Sequence, residues 1–365
     1  GRLAETGAVL RRGLVYGVWI GLVCTALLVL GGPPFLHHLG LAPALADGAS
    51  RPLIIFSISM PGYALSVAAS FWLEGLGRPK PAATMMWAAN AVNLAVDLLL
   101  VPGSLGLPAL GAVGGAWATA AARTFLAAAL LIYIVRMPEA KAHGVFDRPE
   151  ANLAAETEQR RIGYGAGVSN FFEVAAFASM NVIAGWIGGL AVAAWAISLK
   201  VIAIVFMVPL GLSTATAVLV GRAYGARDFA GVRRISWIAF GVTVTFGVLV
   251  SFILWPAAGF IAGQYTSDVA TIGMAASALV LCCLFLIPDA LQVVCAQALR
   301  ARADVWIPTA AHLTSYVIIM TPLAYVFAIP LKGGVNGIVW AVVVASFVSA
   351  GLLMARFRYL NLRGR

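Results

Sequence analysis

Ten stretches of mostly apolar residues follow one another along this 365-residue chain, and their succession limits the fold more than any other feature. They lie near Leu14–Leu30, Leu53–Leu73, Pro81–Val101, Gly111–Val135, Gly163–Ile187, Val192–Val220, Ser236–Trp255, Thr271–Leu299, Ile307–Ile329 and Val335–Met354. Each approaches the roughly 20 residues that a helix needs to cross a hydrocarbon layer. Strands of a membrane barrel would show short alternating segments instead, and nothing here alternates. Only 10% of the residues are charged and 62% are hydrophobic, with a mean hydropathy of +0.95. A soluble domain carries about a quarter charged residues, so lipid must be the solvent for most of the surface. The expected fold is all-α, a polytopic helical membrane protein.

Basic residues in short loops mark the cytoplasmic side of such a chain. Of 24 Lys and Arg, 20 fall in one set of connections: Arg2 to Arg12, Arg78 and Lys80, Arg136 to Arg161, Arg222 to Arg234, Arg300 and Arg302, and Arg356 to Arg365. The alternate loops hold Arg51 and Lys332, while Arg123 and Lys200 lie inside apolar stretches. Both termini are therefore expected in the cytoplasm. The net charge of +10 lines a membrane face and implies no nucleic-acid partner. Cys24, Cys282, Cys283 and Cys295 lie in apolar runs without C-x-x-C spacing and read as small core hydrophobes. The opening residues lack the pattern of a signal peptide. His37 and His38 fall beside Pro33 and Pro34 in an expected outer loop, and His143 to Asp147 in a solvated linker.

The polar stretch Met137 to Gln159, with Pro138 and Pro149, divides four spans from six. The expected organisation is an N-terminal lobe at 1–136, a cytoplasmic linker at 137–160 and a C-terminal lobe at 161–365. The lobes share an internal repeat. Leu10-Arg11-Arg12 matches Val232-Arg233-Arg234, and Leu76-Gly77-Arg78 matches Leu299-Arg300-Ala301-Arg302. Gly111-x-x-Gly114-x-x-Trp117-Ala118 matches Gly334-x-x-Gly337-x-x-Trp340-Ala341. Two pseudo-symmetric helical bundles follow, a pattern that transporters use. If the unit is six helices, two of an expected twelve precede Gly1.

Several of these segments resemble the multidrug and toxic compound extrusion (MATE) family. They are Gly75-Leu-Gly-Arg-Pro-Lys80, Asn90-x-x-Asn93-x-x-x-Asp97, the Gly111 to Thr119 stretch and Asn170-Phe-Phe-Glu173. Val208-Pro-Leu-Gly-Leu-Ser213, Val220-Gly-Arg-Ala-Tyr-Gly225, Pro288-Asp289-Ala-Leu-Gln292 and Ala298-Leu-Arg300 complete an ordered set. The resemblance implies twelve helices in two six-helix lobes around a V-shaped cavity, of which this chain would hold the third to the twelfth.

Ionisable groups within hydrocarbon are costly and usually face an interior or a water path. Asn170, Glu173 and Asn181 form one rough stripe on the fifth span, with Phe171 and Phe172 as an apolar wall. Asp289 and Gln292 share a face of the eighth, where Pro288 frees a backbone carbonyl beside the carboxylate. Oxygen donors of this kind suit a hard cation, and the two acids match positions where the family places its second-lobe cation site. Glu173 and Asp289 are thus the expected coupling pair, able to take a proton or sodium; the alternative is a pair of acids held for packing by a base. Lys200, deep in the sixth span, is expected to act on them. Asn93, Asp97 and Thr119 resemble the family's first-lobe proton site, which also draws on an acid of the first helix, without counterpart here. An Asp97–Arg123 ion pair is the alternative.

The leading expectation is a monomeric antiporter in a bacterial-type inner membrane, exporting small amphiphilic or cationic organic compounds in exchange for protons or sodium, without a bound cofactor. Trp87, Trp117, Phe172 and Trp195 could meet flat cations through their ring faces. A lipid-linked oligosaccharide flippase of the same superfamily would need a basic cavity, for which only Arg123 and Lys200 are at hand. A truncated, inactive relative is a further alternative. A membrane-embedded transferase would need clustered carboxylates or a His–Asp pair at the membrane face, and neither occurs.

Overall fold

Apolar runs longer than a bilayer is thick continue as helix into their polar flanks, because nothing at the boundary breaks the backbone ladder. In the computed structural model, which describes residues 3–38, 43–147 and 152–362, this gives helices of up to 37 residues and no strand among the described residues. Among the described residues nine helices are long and apolar enough to cross a membrane, or ten when a bent pair counts as one span. This agrees with the expected succession. Arg2, Arg148, Pro149, Arg363 and Arg365, on which part of the sequence reading rested, lie outside the described residues. The chain divides into two compact units, Gly1–Glu156 and Thr157–Arg365.

The first unit contains α1 (Leu3–His38), α2 (Pro43–Ile58), α3 (Met60–Gly75), α4 (Pro79–Leu100) and α5 (Ala112–Arg136). The second expected span is the bent pair α2–α3, which turns by 42° at Ser59. Its cause is Pro61, which has no N–H to offer the Ser57 carbonyl. That carbonyl instead accepts a 2.7 Å hydrogen bond from Thr25 Oγ1 on α1, so the group is satisfied across helices.

The histidine pair corrects the sequence reading. His37 and His38 form the last turn of α1 rather than an outer loop. Prolines near a helix end remove few bonds, and His38 Nδ1 donates to the Pro34 carbonyl at 2.7 Å, satisfying one of the carbonyls left over there. His37 Nε2 lies 3.3 Å from Asp47 Oδ1.

The segment expected to be a solvated linker is also ordered over Met137–Asp147, a chain of turns laid against the ends of α1 and α3. Gly7 N donates to the His143 carbonyl (2.8 Å), and Arg11 reaches the Gly144 carbonyl. His143 is buried, its ring edge-on to Trp72 at 5.8 Å. Met137 and Ala140 join Leu10, Trp72, Leu130 and Ile134 in one apolar cluster. Apolar residues spaced among the polar ones make this segment a strap rather than a tether. The second unit's first helix then begins at Leu153, ten residues before the expected span.

The second unit contains α6 (Leu153–Ile187), α7 (Gly189–Gly225), α8 (Phe229–Gly263), α9 (Val269–Arg300), α10 (Trp306–His312), a π-helical segment (Leu313–Met320), α11 (Thr321–Ala328) and α12 (Gly334–Leu362). Asp228 and Asp268 cap α8 and α9 by accepting from the N–H of Gly231 and Thr271. Helix α9 is the axis of this unit: it packs on α7, α8 and α12 and buries most of its length. Cys282, Cys283 and Cys295 lie in that core as free thiols, while Cys24 is half-buried.

The ninth expected span is α10, the π segment and α11 in succession. Pro322 lacks an N–H, and Thr321 N–H reaches back five residues to Tyr316 O. The wider turn is the local consequence, and such π segments gather at functional sites.

The repeat has a structural counterpart. A Cβ on Gly114, at the start of α5, would stand 2.8 Å from the Leu100 carbonyl oxygen. One on Gly337, at the start of α12, would stand 2.5 Å from the Phe327 carbonyl oxygen. At matching positions of both units, a bare backbone touches the end of the preceding helix.

Candidate cation-coupling site

Helix α6 is pinned to the broken span by side chains spaced along one face. Thr309 Oγ1 donates to the Gly165 carbonyl (2.8 Å), Ser169 Oγ lies 2.7 Å from His312 Nδ1, and Ser179 Oγ lies 3.4 Å from Thr321 Oγ1. Ser169 also accepts from Arg300 Nη2 at 2.7 Å. One turn beyond Ser169 on the same face, Glu173 is half-buried and faces Arg300, Asp289 and Tyr316.

Asp289 sits mid-way along α9, 6% exposed. Gln292 from the same helix, Tyr316 from the π segment and Ser346 from α12 surround its carboxylate. They are near it but not bonded to it: Asp289 Oδ1, both Gln292 amide atoms, Tyr316 Oη and Ser346 Oγ are all buried without a hydrogen-bond partner among the described residues. A buried polar group left unpaired costs about 1–3 kcal/mol, so a cluster of them favours a small polar or charged occupant.

Toward α7 and α8, Asp289 also borders an otherwise apolar cavity of ≈ 10 Å³ with Val205, Pro209, Phe246 and Leu286, about the minimum for one water-sized body. Pro209 interrupts α7 there and leaves the Val205 carbonyl without its helical donor. Pro288 leaves the Leu284 carbonyl without its helical donor in the same way, and Leu284 borders a groove against α8. Among the described residues no three His, Cys, Asp or Glu side chains converge on one point. A site for sodium would therefore combine Glu173 and Asp289 with neutral oxygens such as Tyr316 Oη and Ser346 Oγ, a donor set that fits a hard cation.

The sequence placed three residues here that the structure does not. Lys200 is exposed on α7, its neighbours Ser198, Val201 and Ile202 occupying the buried side. The cation beside the acids is Arg300, which charge counting had assigned to a loop. Asn170 and Asn181 are exposed as well, since the buried stripe of α6 runs through Ser169 and Glu173. Sequence reasoning also missed His312, Tyr316 and Ser346. They are single polar residues in apolar runs, on helices whose approach to α9 no spacing reveals.

In the first unit the expected trio does meet. With the Asn93 amide oriented as its neighbours require, its nitrogen donates to Asp97 Oδ2 and its oxygen accepts from Thr119 N–H, both at 3.3 Å. Thr119 Oγ1 donates to the Gly115 carbonyl. Asn90 is exposed. The Asp97–Arg123 pair does not form. Arg123 instead donates to Ser59 Oγ (3.1 Å) with its guanidinium 4.1 Å from the Phe56 ring centroid and 4.7 Å from that of Tyr63. Of the four aromatic residues considered for ligand contact, Trp195 is core at 2% exposure, whereas Trp87 is 76% exposed.

The family model for MatE matches residues 1–99 and 166–326, most of the chain. The chain belongs to the MatE family. A probable multidrug resistance protein NorM from Caulobacter vibrioides is 60% identical over 361 residues, covering 99% of this chain and 77% of the relative. A probable multidrug resistance protein NorM from Bradyrhizobium diazoefficiens is 32% identical, covering 97% and 78%. Among solved structures, an outward-facing multidrug resistance MATE family transporter of the MOP superfamily superposes with a TM-score of 0.88 at 18% identity, covering 100% of this chain and 84% of that one. A MOP superfamily transporter from Pyrococcus furiosus gives 0.87 at 17%, covering 99% and 84%. These confirm the all-α polytopic fold. This MatE chain is a multi-pass bacterial membrane transporter and not an enzyme.

Proposed function

We propose that this MatE protein is a multidrug exporter that moves amphiphilic or cationic organic compounds out of the cell in exchange for a monovalent cation, proton or sodium. Glu173 and Asp289 are its coupling pair. The observation that carries this reading is the cluster around Asp289: a buried carboxylate with unpaired hydroxyl and amide groups beside it. An ion bound there neutralises charge inside the second unit and pairs groups that otherwise stay unpaired. It thereby favours one conformation of that unit over another, which is what coupling requires. The Asn93–Asp97–Thr119 cluster is a second proton site in the same scheme. The inner membrane, cytoplasmic termini and a monomeric state belong to this reading.

The test is efflux of a fluorescent cationic dye from proteoliposomes, driven separately by proton and sodium gradients. It uses this chain, a form extended by any upstream coding sequence, and the Glu173→Gln and Asp289→Asn variants. Gradient-driven efflux that these substitutions abolish is expected. If the extended form moves no dye under either gradient, drug export is wrong and flipping of a lipid-linked substrate becomes the reading to pursue.

A further inference from the structure

We infer that Arg123, half-way along α5, binds the carboxylate of amphiphilic compounds that the protein exports. This deepens the export reading, on which it rests, by naming one chemical class of substrate.

The argument starts from depth. Arg123 stands 11 residues from the start of α5 and 13 from its end. At about 1.5 Å per residue, it lies about 16 Å from one end and about 20 Å from the other. In a hydrocarbon layer about 30 Å thick, that is near the middle. A permanent charge at this depth is costly and is kept where it meets a partner or a water-filled path. No carboxylate of the protein is that partner. Among the described residues Arg123 forms no ion pair, and Asp97 on α4 is bonded to Asn93 instead.

What holds the side chain is a frame of two rings and one hydroxyl. The guanidinium carbon lies 4.1 Å from the ring centroid of Phe56 on α2 and 4.7 Å from that of Tyr63 on α3, one ring on each limb of the bend. Nη1 donates to Ser59 Oγ at 3.1 Å, and that hydroxyl donates its own hydrogen to the Phe56 carbonyl at 2.6 Å. Ring faces stabilise a cation without consuming an N–H. The guanidinium is a rigid fork of donors, and those on Nε and Nη2 have no partner among the described residues. Neither nitrogen is sealed inside the protein. The unused fork matches a carboxylate, which accepts two parallel N–H bonds from arginine. Because the frame holds it in place beforehand, little ordering is left to be done on binding.

The rest of the ligand follows from the surroundings. A phospholipid headgroup stays at the bilayer surface, about 15 Å away from this depth, so the anion must arrive on a molecule that passes through. Tyr63 and Ile58, either side of the bend, are exposed. An apolar body beside the carboxylate covers such surface favourably, whereas a small hydrophilic anion loses its water and gains no apolar contact. The occupant is therefore an amphiphile with a carboxylate on an apolar or aromatic body.

The experiment compares two fluorescent probes with one rhodamine ring system, the first with a free carboxyl group and the second its ethyl ester. KM and maximal rate of efflux from proteoliposomes are measured for wild type, Arg123→Gln and Arg123→Lys. Arg123→Gln should raise KM for the acid about 10–100-fold, the range for losing a hydrogen bond to a charged group, and leave the ester unchanged. Arg123→Lys keeps the charge but not the fork and should fall between. Equal losses for both probes make Arg123 a brace for the bend, and a changed ion dependence for both ties it to Asp97; either result overturns the inference. If Arg123→Gln does not fold, the wild type decides through phenylglyoxal modification, read at Arg123 by peptide mass spectrometry. The acid, supplied above its KM, should slow that modification and the ester should not; equal protection, or none, overturns the inference. No efflux of the ester by wild type under either gradient defeats the export reading itself. Ester efflux with an acid KM indifferent to Arg123 defeats only the role of Arg123.

Discussion

Arg78 Nη2 and Glu139 Oε1 stand 2.6 Å apart, with a second contact from Nη1 at 3.1 Å, and this two-pronged pair fastens the Met137–Asp147 strap to the start of α4. Both side chains are partly exposed, so the pair is weakened by salt. The Arg78 hydrogen bond holds the Glu139 carboxyl below its ordinary value of 4.5. A carboxylate whose folded value is lowered stabilises above its ordinary value, and that stabilisation is lost as pH falls through the lowered one. Glu139→Gln should therefore speed amide hydrogen exchange over 137–147 at neutral pH. The difference from wild type should shrink as the pH is taken well below 4.5; a difference independent of pH would assign the strap's order to packing on Trp72 alone.

Tyr316→Phe separates stability from function. Its hydroxyl is buried and unpaired, so its removal should leave thermal stability unchanged or raise it by about 1 kcal/mol. The same change should weaken the apparent ion affinity of efflux about 10–100-fold, the usual cost of losing a group that supports a bound ion. Both are read from one preparation, by melting in detergent and by ion-dependent dye efflux. A stability loss with intact ion dependence would make Tyr316 a packing residue.

Lys200→Gln should leave the ion dependence of efflux as it is, since the side chain is exposed on α7. A shifted ion dependence would return Lys200 to the place that its depth in the sequence suggested.

Gly337→Ala and Gly114→Ala should each destabilise the protein by about 1–3 kcal/mol, the range for forcing a methyl into filled space. The two contacts are equivalent in the repeat, so their losses should be similar. Melting temperatures in detergent give the comparison.

The fold was legible because lipid imposes a coarse rule. A helix that crosses it must be apolar over most of its length, so Leu14–Leu30 announces α1 even though His38 ends it. Where helices break is finer. Pro61 bends α2–α3, while Pro33 and Pro34 lie within α1, because the cost of a proline depends on which carbonyl it strands and who else can bond it. At the site, Glu173 and Asp289 stood out as charges in apolar runs, and Asp97 as the end of a periodic polar face. Arg300 did not, because a basic residue at the end of a span reads as loop until Ser169 is seen bonded to it. Lys200 misled for the converse reason: depth in the chain says nothing about which side of a helix meets protein and which meets lipid. His143 was hidden by its polar neighbours, since burial of a strap depends on Trp72 and Leu10, far away in sequence.

The Thr25–Ser57 hydrogen bond makes the first unit's bend answer to its neighbour. An unbroken helix keeps its shape from within, but the angle at Ser59 is held partly by a hydroxyl that belongs to α1. Sliding α1 by a fraction of a turn would take the hydroxyl out of reach and let the angle relax. The bend thus works as a strain gauge, reporting the displacement of one helix as the curvature of another.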